Sequence, residues 1–437
     1  MKKCFLGTAI LFIALVISSC QKEKTISYIP ESEAENTSNV AMRTEVFDLL
    51  GNIILREPDA KNIAKLILEN GGNKESLTFE EISTLELSPE KKEINSNITF
   101  CDAVVAELSA NPTAYPLISQ ITAPKTKGES INDNLGDLDV ELYIPYSENY
   151  NPDSIEDITI VYTPEDENAT ETEGIKISEG NSYLVPSVDD SYMQNNITIV
   201  VMPVDTTNYT VLIPDTDFKP VLNPYPVESA YTLPNGLITK NITNSATIAE
   251  EDILYTNLAR IRVRNTSWAA TFTNKLKLAI YRTSADYKVE DGAPTIIPNQ
   301  HKVGLYKILK KDIRAKKWFE VNTVFDDDWN LHEYDQELFF CSEHWLVGKK
   351  ATLGGTVSLG YSNGKPSINA EISADFSFKI GGSKLRANNE LTRKSILATN
   401  MSNLGSGTVN INGYNFAVRN YGGVVDVVFT MYYTDYK

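Results

Sequence analysis

The sequence predicts a mainly β protein with an N-terminal α region, its strands gathered into two β-sandwich-like domains. Three observations predict it. Apolar residues recur with a helical period up to about residue 135 and with a period of two from about residue 136. Asn-Gly dipeptides at 363–364 and 412–413 sit between alternating runs, as tight hairpin turns require. The stretch Lys219 to Gly236 carries Pro220, Pro224, Pro226 and Pro234, which suits a connection better than a strand. At 437 residues, 42% hydrophobic and 22% charged, the chain can bury cores and is long enough to divide into more than one domain.

Taken in order, residues 1–19 read as a secretory signal: Lys2 and Lys3, an apolar run to Ile17, then small residues. The run from Cys4 to Ile17 is too short to cross a bilayer, which takes about 20 apolar residues. Residues 20–40 begin at Cys20 and continue polar and acidic, a tether that cannot offset the entropy of ordering. Helices follow over 41–135. Val46, Leu49, Leu50, Ile53 and Ile54 share one stripe. Pro58-Asp59 opens a second helix containing Ile63, Leu66 and Ile67, stopped by Asn70-Gly71-Gly72. Thr78 to Glu81 has capping-box spacing, and Thr99 to Asp102 a weaker form of it ahead of Val104, Val105 and Leu108.

An acidic β-sandwich-like domain is expected over 136–235, with strands around Leu138–Ile144, Ile158–Val161, Ile197–Met202 and Tyr209–Ile213. A C-terminal antiparallel β domain is expected over 236–437. In it Arg260, Arg262 and Arg264 interleave with Ala259, Ile261 and Val263, and Leu276, Leu278 and Ile280 mark the next strand. The run from Ile368 to Ile380 alternates throughout, and Gly422-Gly423 opens the last strand.

Charge separates the same regions. Between Glu129 and Phe218 there are twenty acidic residues and one basic, Lys176, whereas Trp345 to Lys437 holds ten basic and five acidic. The formal charge of −18 repels phosphate backbones, so nucleic-acid binding is not expected. The acidic region contains no D-x-[DN]-x-[DN]-G loop, so solvation is preferred to calcium as its role.

Known catalytic signatures are missing: Gly355 to Gly360 is one residue too long for G-x-S-x-G, and His332-Glu333 ends in Gln336 where a zinc protease needs histidine. The densest chemistry lies between Trp318 and Trp345, a segment with three of the four tryptophans and two of the three histidines. His332, Cys341 and His344 are zinc-ligand types at no standard spacing. Trp329, in the acidic neighbourhood of Asp326 and Asp328, suits a flat platform for a glycan or protein, with Trp345 as a second candidate; core packing is the alternative for each. Cys101 and Cys341 form the candidate disulfide if Cys20 is lipidated, and two buried free thiols are the other option.

Ile17-Ser18-Ser19-Cys20 resembles the lipobox of bacterial lipoproteins, and with the tether and Tyr-rich β-domains the chain resembles outer-membrane or surface lipoproteins of Bacteroidota-like bacteria. That resemblance implies diacylglycerol on the Cys20 thiol, a lipid bilayer as partner and an outer-membrane or cell-surface address. The expected role is a non-catalytic lipoprotein that presents β-domains to a glycan or envelope protein, without a cofactor. A hydrolase using the Trp318–Trp345 segment and a membrane-inserting hairpin over Ala351–Ile380 are the alternatives.

Overall fold

The computed structural model describes residues 33–83 except 57–59, residue 85, and residues 100–218 except 128, 165, 167, 168, 180, 206 and 217. It also describes 253–434 except 291–292, 330–334, 344–349, 363–364, 382, 393–404 and 412–413. Ile17 to Cys20, with the lipidation candidate Cys20, and His332, His344 and Trp345 lie outside the described residues.

The protein is mainly β with a small α region. Its first body contains helices α1 (Glu33–Arg56), α2 (Ala60–Asn70), α3 (Phe79–Ser83), α4 (Phe100–Ala110), α5 (Pro116–Ile121), α6 (Ile131–Asn134) and α7 (Asp190–Asn195). Strands β1 (Ser76–Thr78), β2 (Val140–Tyr143), β3 (Ile158–Tyr162), β4 (Glu171–Ser178), β5 (Asn181–Asp189) and β6 (Thr198–Pro203) form one sheet in the order β1-β2-β6-β3-β4-β5. The apolar stripe of α1 is buried as its spacing predicts: Val46, Leu49, Leu50 and Ile53 are at most 2% exposed. Each such side chain contributes roughly 1.5–3 kcal/mol of burial. Thr78 and Glu81 make the capping box reciprocally, Thr78 N donating to Glu81 Oε2 at 2.9 Å and Glu81 N to Thr78 Oγ1 at 3.1 Å. After α2 the chain turns at Gly72, whose φ of +54° suits glycine.

The helical segment and the acidic strands are not separate units. Val46, Leu50, Ile67 and Val104 share one core with Val140, Leu142, Ile158, Ile160, Ile199 and Val201. The sandwich-like layering expected over 136–235 is replaced here by helices laid on one face of the sheet. The other face carries Tyr143, Val161, Val200 and Met202, packed with Met193 of α7. Covering on both faces explains why β6, Thr-Ile-Val-Val-Met-Pro, reads as a continuous apolar run.

The second body begins earlier than residue 236. Strand β7 (Thr210–Val211) already pairs in parallel with Tyr306 and Lys307. It joins β9 (Lys275–Glu290), β10 (Ala293–Leu309), β12 (Asp335–Glu343) and β15 (Ser383–Thr392) in a sheet ordered β15-β12-β9-β10-β7. The facing sheet is β11-β8-β18-β17-β16, from β8 (Ile253–Val263), β11 (Phe319–Trp329), β16 (Gly405–Ile411), β17 (Tyr414–Tyr421) and β18 (Val425–Thr434). Leu276, Leu278, Ile280, Leu338 and Phe340 of the first pack against Leu258, Ile261, Phe319, Phe325 and Val427 of the second, the core of a β-sandwich. Helix α8 (Lys310–Arg314) follows β10.

Strands β13 (Lys350–Ser362) and β14 (Lys365–Gly381) form a separate two-stranded ribbon paired up to Ser362 and Lys365. β13 runs across β9, β12 and β15, while β14 meets β10, which makes the ribbon a third layer on the sandwich. On that outer face Ala279, Phe339 and Cys341 are fully buried.

A loop of the second body plugs the first. Phe272, only 2% exposed, enters the cluster of Tyr143, Val161 and Met202. Asn274 Nδ2 donates to Ser76 Oγ and Glu141 Oε1, each at 2.9 Å. Around this plug the charges are complementary. Arg314 binds Glu75 at 2.6 Å and Glu148 at 2.9 Å, and Asp205 binds Lys277 at 2.9 Å and Lys307 at 3.1 Å. Burial opposes the charge on Arg314, but the two carboxylates outweigh it and raise its pKa. Burial likewise opposes ionisation of Asp205, yet the Thr207 hydroxyl and Lys277 hold its carboxyl well below the usual range.

Candidate functional site

The sequence-flagged residues whose side chains the structure describes, Asp326, Cys101 and Cys341, are turned inward. Asp326 is fully buried between the two sheets, where Arg282 Nη1 donates to its Oδ2 at 2.6 Å and Gln336 Nε2 donates to the same oxygen. The Arg282 guanidinium also lies over the Phe325 ring, 5.7 Å from its centre. Asp326 is therefore a core anchor and not the exposed ligand-binding carboxylate expected of it. Asp328 and Trp329 close β11, and their side-chain surroundings lie outside the described residues.

Of the two options for the cysteines, the second holds: Cys101 and Cys341 are both buried and are not bonded to each other, the first lying in the helical core of the first body and the second in β12 of the other. Burial pushes the Cys341 thiol up to about 12, so it is protonated at neutral pH and unsuited to metal ligation. Among the described residues, no three His, Cys, Asp or Glu side chains converge as metal ligands would.

Trp318, at the start of the flagged segment, is also core. Its ring packs edge-on against Phe218 with Arg262 stacked 4.6 Å from its centre, on the outer face of the β11-β8-β18 sheet. Arg262 and Arg264 converge on the fully buried Asp426, at 2.6 Å and 2.7 Å. The arginine alternation visible in the sequence is thus a ladder of internal ion pairs.

The feature that faces outward is a groove of about 490 Å³ along the open edge of the sandwich. β7 covers only two residues of β10, and β11 is the edge of the facing sheet, so the layers part here. Both edges are irregular: the β10 register shifts between Lys302 and Gly304, and the β11 register between Glu320 and Thr323, where Asn322 takes a φ of +45°. Tyr306 bridges the layers, its hydroxyl 2.9 Å from Thr323 Oγ1. A Cβ on Gly304 would fall 2.0 Å from that hydroxyl, so glycine is what lets the phenol lie back along β10.

No protein-family model, no curated protein and no solved structure matches the chain.

The groove's lining includes Val211, Leu212, Ile213, Val303 and Val321, and its titratable members are Glu320 and Tyr306. Glu320 pairs with Arg260 at 3.4 Å, and burial raises the Tyr306 pKa. Of the lining residues, Val211 and Ile213 are 56% and 77% exposed, unusual values for β-branched aliphatic residues. Such a lining suits contact with another apolar surface. Sequence reading placed a strand over 209–213 but missed the groove. The available signal was a run, Val211-Leu212-Ile213, apolar at consecutive positions directly before a proline-rich connection, which leaves one side without a core to face.

Proposed function

We propose that this protein is a lipoprotein, anchored to a bacterial outer membrane or cell surface through acylated Cys20, which binds a partner protein of the envelope without catalysis. The anchor reading is supported by the order Ile17-Ser18-Ser19-Cys20 followed by a polar tether. The observation that carries the binding reading is the sandwich-edge groove with its two exposed aliphatic residues, Val211 and Ile213. No described helix is long and apolar enough to cross a membrane.

Two measurements test the two halves separately. Cys20→Ala in the native host is expected to move the protein from the membrane fraction to the soluble fraction; retention in the membrane overturns the anchor. A photo-crosslinking residue at position 213 is expected to capture one envelope protein, with the adduct abolished by Val211→Asp and absent from a control at exposed Tyr183. An identical adduct pattern at both positions overturns the groove.

A further inference from the structure

On the first body, a second concavity of about 190 Å³ opens at the edge of the sheet face covered by α7. It is lined by Tyr150, Ile197 and Thr159, together with Glu156, Asp157, Lys176, Asn195 and Asn196. We infer that this pocket is a binding subsite for one neutral sugar ring.

The geometry that supports this is a set of polar side chains pre-set around the Tyr150 ring. The Tyr150 hydroxyl donates to Met193 O at 2.5 Å, which fixes the ring beside Ile197. Asn195 Nδ2 donates to Ser191 O at 2.8 Å and Asn196 Nδ2 to Tyr192 O at 3.0 Å. Each amide plane is thereby held by its own helix, with its carbonyl oxygen left as an acceptor. Lys176, the single base in its acidic region, is tied to Asp157 at 2.8 Å and keeps further N–H groups to donate. Thr159 is buried and engaged with the Tyr192 hydroxyl at 2.8 Å, so it forms floor rather than rim.

Charge and valence exclude the other small ligands. An anion meets two carboxylates, Glu156 and Asp157, against one ammonium. A divalent cation meets a carboxylate, Asp157, that Lys176 already neutralises. A sugar hydroxyl both donates and accepts, so a ring of them satisfies the amide oxygens, the Glu156 carboxylate and the Lys176 ammonium together, while a CH group meets the Tyr150 ring. The volume admits one ring and not a folded partner. The pocket lies on a different body from the sandwich-edge groove, so it stands whether or not the groove binds protein.

Saturation-transfer difference NMR on the mature chain tests it, with the methyl glycosides of glucose, galactose, mannose and N-acetylglucosamine as probes. At least one probe is expected to show transfer, weakened about tenfold by Glu156→Ala and by Lys176→Ala, the loss of one charge-assisted hydrogen bond in each case. Ile213→Asp, in the groove, is expected to leave the signal unchanged. Should either pocket variant melt below the parent, Asn195→Ala on the exposed end of α7 serves in its place. No transfer from any of the four probes, or transfer that survives the pocket variants, overturns the proposal.

Discussion

Lys310 sits at the start of α8 with its side chain inside the protein, donating to Thr271 O at 2.9 Å and Ala270 O at 3.3 Å. Burial pulls its pKa down to about 8. The folded value lies below the ordinary lysine value, so the unfolded chain binds the extra proton between the two, and stability rises with pH across that window. Below it the cost of the buried charge is on the order of 3 kcal/mol. Lys310→Met is therefore expected to stabilise the protein by about 1–2 kcal/mol at pH 7, after loss of two hydrogen bonds, with the gain vanishing by about pH 10. Urea titrations at the two pH values measure it. The thiols give a second expectation: Cys101 and Cys341 are buried and not bonded to each other, so a thiol reagent should label neither in the native protein and both in unreduced denaturant. At this scale the sequence does not reveal what its flagged residues touch. Asp326 is a candidate ligand-binding residue there because it lies in the acidic neighbourhood of Trp329, but its partner Arg282 lies 44 residues away and on another sheet. Nothing local records that pairing.

The strands that bear such pairs form the next level. Arg282 of β9, Asp326 of β11 and Gln336 of β12 make a polar layer across the sandwich, where its aliphatic core ends. Asp326→Ala would leave the guanidinium buried without its counter-charge, a loss of about 3–5 kcal/mol. Replacing both partners, Arg282→Met with Asp326→Leu, is expected to recover most of it. Calorimetric melting temperatures of the three proteins decide whether the layer acts through paired charge or through shape. Elements with one buried face were readable: the α1 stripe, the Thr78–Glu81 box, and the C-terminal meander β16-β17-β18 with its Gly422-Gly423 turn at φ of +59° and +72°. β4 and β5 were not, because they form the outer end of their sheet: β4 mixes Glu171 and Glu173 with half-buried positions, and β5, the edge strand, is largely exposed, with Tyr183 and Leu184 outside. An edge strand has no buried alternation to announce it. The ribbon β13-β14 was readable as a hairpin, but its place as a third layer over β9 and β12 was not.

Across the whole molecule, the two bodies meet at a joint of opposite charges. Glu75, Glu141, Glu148 and Asp205, on or just after the first body, meet Arg314, Lys275, Lys277 and Lys307 of the second, around the Phe272 plug. Each body keeps its own hydrophobic core. The intact chain is therefore expected to melt as one cooperative unit, and Phe272→Ala with Arg314→Ala to split the calorimetric trace into two transitions. A single unshifted transition in the double variant would show that the joint contributes nothing. The proline-rich stretch suggested a division near residue 236, but the sheets part at β6 and β7, because the segment between them is held by ionic and backbone contacts that composition does not reveal. That segment is fastened repeatedly: Asp205 to two lysines, Leu212 N to Lys307 O, Pro214 beside Phe319, and Asp215 to Arg260 at 3.0 Å. Because these fastenings are spread over Asp205 to Asp215 and differ in kind, losing any one of them leaves the strap still tied to the second body by the others.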